Sequence, residues 1–180
     1  MKGIIIGAGL SGLSTAIALR KYIQTSQHLE IKIYDNTHLD YSTDHSQPSL
    51  KVATSRLGAG LGLQANGLRE LGDLDPALRD KVYAAGFACT HFTGRHWLLR
   101  GEYFDALPNS RPLLISILQD ALPKGAVTYK TVSKVVTRQG QKPVIQFEGG
   151  SPDEVADLIV GADGIRSTVR HDLFGDNEKR

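Results

Sequence analysis

Lys2-Gly3-Ile4-Ile5-Ile6-Gly7-Ala8-Gly9-Leu10-Ser11-Gly12, followed through to Asp35, is the stretch that decides how this chain is read. Lys2 to Ile6 is apolar and β-branched, too short for a helix and bounded by glycine, which predicts a strand buried on both faces. Leu13, Ala16, Ile17, Leu19 and Arg20 then recur at helical spacing. Glu30 to Tyr34 forms a second strand pattern with Asp35 at its end. Strand, G-x-G-x-x-G, helix, strand and acid together are the sequence form of a dinucleotide-binding βαβ unit.

Each part has a physical task. Gly7 allows a sharp turn out of the strand, Gly9 lets backbone approach a pyrophosphate, and Gly12 lets the helix pack close to the strand. The helix N-terminus then offers unpaired N–H groups and about half a positive charge to the phosphates. Asp35 lies 23 residues beyond Gly12, near the spacing of an acid that hydrogen-bonds a ribose hydroxyl. Its charge opposes a 2′-phosphate, so the pattern favours FAD or NAD over NADP. A lone glycine fingerprint could be an ordinary turn, but here the flanking strand, helix and acid agree. Ser11 lacks the G-x-S-x-G setting of a hydrolase nucleophile.

Composition narrows the class. With 41% hydrophobic and 22% charged residues in 180, the chain reads as a globular protein of one domain and a fraction. A net charge of +2 with scattered signs gives no basic face for nucleic acid. The single cysteine, Cys89, precludes an internal disulfide and fits a reducing compartment, so a cytoplasmic location is expected. No apolar run of about 18 residues predicts a transmembrane helix; peripheral membrane contact and oligomeric state are left open. No metal site is expected: His38, His45, His91 and His96 lack ligand spacing.

Beyond Asp35, Asn36 to Leu57 reads as a long polar loop. Gly58 to Gly67 is a second glycine-rich stretch, either a connector or backbone passing close to a flat ligand. It leads into helical material with Leu68, Leu71, Leu74 and Leu78. Val82 to Phe92 and His96 to Phe104 resemble two strands of a hairpin, with Trp97 and Tyr103 as packing residues. A helix is expected from Asn109 or Ser110, with Arg111 and Pro112 in its first turn. Ala126 to Lys130, Thr131 to Arg138 and Pro143 to Glu148 are read together as an antiparallel meander. Asp157 to Gly164 is a further buried strand entering a glycine turn, followed by a helix over Ile165 to Phe174.

With these residues in view, the chain resembles the N-terminal part of the FAD-dependent monooxygenases of the aromatic-hydroxylase or salicylate-hydroxylase type. Gly7 to Leu13 is similar to that family's opening, and Tyr34-Asp35 to its acid at the second strand. Gly58 to Leu63 with Asn66-Gly67 resembles the loop passing the flavin, Arg111 the arginine contacting FAD, and Ala156 to Arg170, with Asp163-Gly164, the Asp-Gly motif. The resemblance implies an α/β, Rossmann-like, glutathione-reductase-type three-layer fold with an antiparallel meander and part of a substrate-domain sheet. It implies residues 1–80 as the βαβ unit and flavin loop, 81–107 as partial substrate-domain strands and 108–180 as the continued FAD-binding domain. The implied cofactor-binding set is Gly7, Ala8, Gly9, Leu10, Ser11, Gly12, Asp35, Gly62, Arg111, Asp163 and Gly164.

The implied reaction is reduction of FAD by NAD(P)H, reaction with O₂ and oxygen transfer to a small organic substrate, aromatic in many members. Three departures stand out: Asp35 replaces the usual glutamate, the loop after it is longer, and the family's second motif, Gly-Asp-Ala, is missing. The chain is therefore expected to be a fragment that binds FAD weakly through its ADP half and turns over little. A reductase or dehydrogenase of the same fold, and an inactive nucleotide-binding remnant, are the alternatives. No catalytic residue is identified.

Overall fold

The computed structural model describes residues 1–23, 29–37, 60–86 and 106–175. Two compact units result, Met1–Asp40 with Gln119–Arg180, and Tyr41–Leu118.

The first unit is built on a parallel sheet. Strand β1 (Lys2–Ile6) leads to helix α1 (Leu10–Tyr22) and strand β2 (Glu30–Asp35). β2 and β1 pair in parallel from Lys2 opposite Glu30 to Ile6 opposite Tyr34. Ile4 and Ile5 are both fully buried, so β1 is covered on both faces, as its unbroken apolar run predicts. Ile5 faces α1, since a Cβ on Gly12 would stand 3.3 Å from its side chain. Ile4 and Ile6 point the other way, into a core shared with Tyr34, Val132, Val135, Ile145, Phe147, Ala156 and Val169.

That second face is covered by an antiparallel sheet, order β6 (Val132–Val136), β7 (Val144–Phe147) and β8 (Glu154–Val155). The Tyr34 and Phe147 rings meet edge-on across the layer at 4.8 Å, a favoured aromatic geometry. Helix, parallel sheet and meander make the expected three layers. Strand β9 (Leu158–Gly161) pairs in parallel with β1 on the side away from β2. Helix α5 (Thr168–Phe174) packs back on it, with Val169 2.8 Å from where a Cβ on Gly161 would stand.

Two expectations for this unit need correction. The run from Ala126 to Lys130 is no meander strand: β5 (Val127–Tyr129) joins the parallel sheet beside β2. Ile33 N–H donates to Ala126 O at 3.0 Å, a long-range pairing that alternation cannot report. The last helix begins at Thr168 rather than Ile165, because the Ser167 side chain caps it by accepting from Arg170 N–H.

In the second unit, β3 (Gly60–Gln64) and β4 (Ala106–Ser110) form an antiparallel ladder. Helices α2 (Ala65–Leu74) and α3 (Pro76–Ala85) follow β3 and bury Leu68, Leu71, Leu78 and Val82. Val82 to Ala85 is therefore helical, not the start of a hairpin strand. Asp75 sets this: its carboxylate accepts from Ala77 N–H at 2.9 Å and Pro76 opens the helix, a standard helix start. Helix α4 (Arg111–Asp120) begins directly after β4, close to the expected place. The expectations for Cys89, His38, His45, His91, His96, Trp97 and Tyr103 lie outside the described residues.

Candidate functional site

The carboxyl ends of β2, β1 and β9 lie side by side at one edge of the parallel sheet, where open α/β sheets bind ligands. Ile6 is opposite both Tyr34 and Gly161, so Gly7, Asp35 and Ala162 each stand one residue beyond the same level. Gly7 N–H donates to Tyr34 O at 2.7 Å, and Ala162 N–H to Ile6 O at 2.7 Å. The structure thus joins the glycine fingerprint, the acid of β2 and the Asp163-Gly164 turn.

The three fingerprint glycines have different reasons to be there. Gly7 has φ of 107°, and a Cβ on it would stand 2.3 Å from Ala162 O. On Gly12 a Cβ would stand 1.9 Å from Gly7 O. The fold itself demands both. Gly9 is unlike them: φ is an ordinary −76°, and a Cβ there meets nothing within 4 Å. It is the N-cap of α1 and provides no side-chain cap. The amides of Leu10, Ser11 and Gly12 open the helix beside it, with no acidic residue in the first turn. That arrangement suits an anion.

Asp35 points at this turn. One carboxylate oxygen accepts Ala8 N–H at 2.6 Å and the other Thr37 N–H at 2.7 Å. Asp163 turns instead to its own helix, accepting from Ser167 Oγ at 2.6 Å and Thr168 N–H at 2.7 Å. Its main chain remains at the site, its nitrogen 2.9 Å from the position of a Cβ on Gly7. Gly164, at φ of 81°, completes the turn.

Gly62 and Arg111 belong to the second unit. Gly62 pairs with Pro108, and Gly60 with Ser110, the residue before Arg111. A Cβ on Gly62 also meets nothing within 4 Å. Arg111 is exposed at the start of α4, where the helix dipole disfavours a cation.

Sequence reasoning missed the polar cluster between the two sheets. Glu154 accepts from Lys2 Nζ at 2.6 Å, Tyr34 Oη at 2.6 Å and Lys32 Nζ at 3.2 Å. Burial works to raise the Glu154 pKa, but the hydrogen bonds from Lys2, Tyr34 and Lys32 prevail and hold it at about 2. Burial, then the bond to Glu154, pushes the Tyr34 hydroxyl well above the usual tyrosine range. The one sequence signal was Lys2 and Lys32 on the face otherwise given to the core. Among the described residues, no group of three or more His, Cys, Asp or Glu side chains could hold a metal ion. No described helix is long and apolar enough to cross a membrane.

No protein-family model matches the sequence. Individual relatives do. The chain is 31% identical to the FAD-dependent monooxygenase atnA of Arthrinium sp over 99% of its own length and 23% of that protein. It is 25% identical to 6-hydroxynicotinate 3-monooxygenase of Pseudomonas fluorescens over 95% of its length and 42% of the relative. The fold matches Klebsiella pneumoniae HpxO, in a variant complexed with FAD, with a TM-score of 0.69 at 21% identity, covering 95% of this chain and 42% of that one. The chain thus spans less than half the length of these proteins. Along nearly its whole length the chain is similar in sequence to monooxygenases, one of them FAD-dependent by name, and its fold is that of a protein crystallised with FAD.

Proposed function

We propose that the chain is an FAD-binding segment of an NAD(P)H-dependent monooxygenase that hydroxylates a small aromatic substrate in the cytoplasm. The observation that carries this is Gly9. The fold requires Gly7 and Gly12 but makes no steric demand at Gly9, which lies at a helix start with no side-chain cap, suited to a diphosphate. The diphosphate of FAD would lie against Gly9 and the first turn of α1, with the adenosine ribose beside Asp35. Asp163 and Gly164 support the turn from β9. The resemblance extends the set to Gly62 and Arg111.

FAD, when bound, would supply the redox chemistry of such a reaction. The residues of this chain would bind and orient it, and the negative charge of Asp35 beside the ribose favours a dinucleotide without a 2′-phosphate, such as FAD, in this site. The name of the P. fluorescens relative supports an aromatic substrate. Titration with FAD, read by flavin fluorescence, tests the proposal with ADP and 2′-phospho-ADP as competitors. FAD should bind, ADP should displace it, and the 2′-phosphate should compete at least about tenfold less well. A folded chain that binds no FAD, or FAD that ADP does not displace, overturns it.

A further inference from the structure

β1 and β2 run in register as far as Ile6 and Tyr34, where β1 ends. Gly7 N–H takes the Tyr34 carbonyl at 2.7 Å. Ala8 N–H, turned out of the strand by the positive φ of Gly7, donates to the Asp35 side chain at 2.6 Å. The other oxygen of that carboxylate accepts Thr37 N–H at 2.7 Å, the i to i+2 bond of an Asx turn that ends β2. Both contacts need a carboxylate on a single methylene. A glutamate would carry its oxygens roughly 1.5 Å further and does not form the Asx turn. The shorter acid therefore has a reason in this chain's own backbone.

The geometry points to Asp35 as the positioning residue of the turn: its carboxylate holds the Ala8 amide and so sets the Gly7–Gly9 backbone to receive a diphosphate. The ligand in this inference rests on the reading proposed above; the clamp does not. Each carboxylate oxygen accepts one N–H and keeps further acceptor capacity, so a ribose hydroxyl can still be received there.

A clamp and a simple ribose ligand predict opposite results for inorganic pyrophosphate, which has no ribose. Removing a ribose ligand leaves pyrophosphate binding unchanged, or tightens it by removing a negative charge. Removing the clamp loosens the turn and weakens it. The experiment compares wild type, Asp35→Ala and Asp35→Asn by amide exchange of Ala8 without ligand, and by titration with pyrophosphate and ADP. Asp35→Asn keeps one acceptor oxygen and decides the matter should Asp35→Ala not fold. Ala8 exchange should quicken, and pyrophosphate binding should weaken, each about tenfold. Unchanged Ala8 exchange overturns the inference, as does weakened ADP binding with pyrophosphate held equally or more tightly. Should the wild type bind neither ligand, the functional reading falls, and Ala8 exchange alone upholds or overturns the clamp.

Discussion

Alanine at Gly12 and alanine at Gly9 should do opposite things, although the two positions are three residues apart in one motif. On Gly12 the new methyl would stand 1.9 Å from the Gly7 carbonyl oxygen and 3.3 Å from the Ile5 side chain. Ordinary carbon–oxygen contact is about 3.3 Å, so α1 would have to lift by roughly 1.4 Å from the strand it covers. Overpacking against backbone on that scale costs about 3 kcal/mol or more, a large part of the roughly 5–15 kcal/mol that holds a domain folded. On Gly9 the methyl meets nothing within 4 Å. Alanine is a poorer N-cap than glycine by about 1 kcal/mol or less, and stiffening the unfolded chain returns about 0.4–1 kcal/mol. The net change should stay within about 0.5 kcal/mol. Thermal unfolding without ligand should show Gly12→Ala melting roughly 6–12 °C lower and Gly9→Ala near wild type. FAD titration of Gly9→Ala should show at least about tenfold weaker binding, near 1.4 kcal/mol. Wild-type affinity in Gly9→Ala would refute the reasoning, and so would a Gly12→Ala protein as stable as the parent.

Three further outcomes concern the frame behind the site. Glu154→Gln should lose about 1–2 kcal/mol at pH 7 in urea unfolding: a carboxyl held at about 2 instead of 4.5 is worth about 3 kcal/mol at most, reduced by solvent screening. Because its folded pKa is depressed, this stability is present above pH 4.5 and fades towards pH 2, so the wild-type and variant curves should converge there; a gap constant with pH would contradict the assignment. Asp172→Ala removes the acceptor 2.6 Å from Val135 N–H on the outer strand of the meander, and should cost about 1–3 kcal/mol, which denaturant midpoints will show. Asp163→Ala strips α5 of the bonds to Ser167 Oγ and Thr168 N–H and should cost about 1–2 kcal/mol; a melting temperature unchanged by it would rule out the capping role.

The opening βαβ unit could be read from the sequence because its determinants are local: an apolar run, glycines at fixed offsets, a helical stripe and a terminal acid. The strand at Leu158–Gly161 was readable for the same reason. Val82 to Ala85 misled because Val and Tyr favour strands, while the deciding pair, Asp75-Pro76, lies ten residues before the run ends. β5 was misplaced because a three-residue strand carries no usable alternation and its partner β2 is more than ninety residues away. In the candidate site, two side chains make contacts that the sequence did not show. The Asp163 side chain serves the start of its own helix, four and five residues on, and the Asp35 side chain holds Ala8, a contact that exists only once β1 and β2 align. Glu154 was invisible for the same reason, since its three partners lie 120 to 152 residues away.

Residue-by-residue mapping of ADP binding, by amide chemical shifts in the intact chain, tests the central claim most directly. The account expects the largest changes at Ala8 to Leu13 and at Asp35, with smaller ones at Asp163 and Gly164. Changes confined to another surface, such as the groove lined by Arg138, Lys142 and Gln146 on the meander, or no change at saturating ADP, would contradict it.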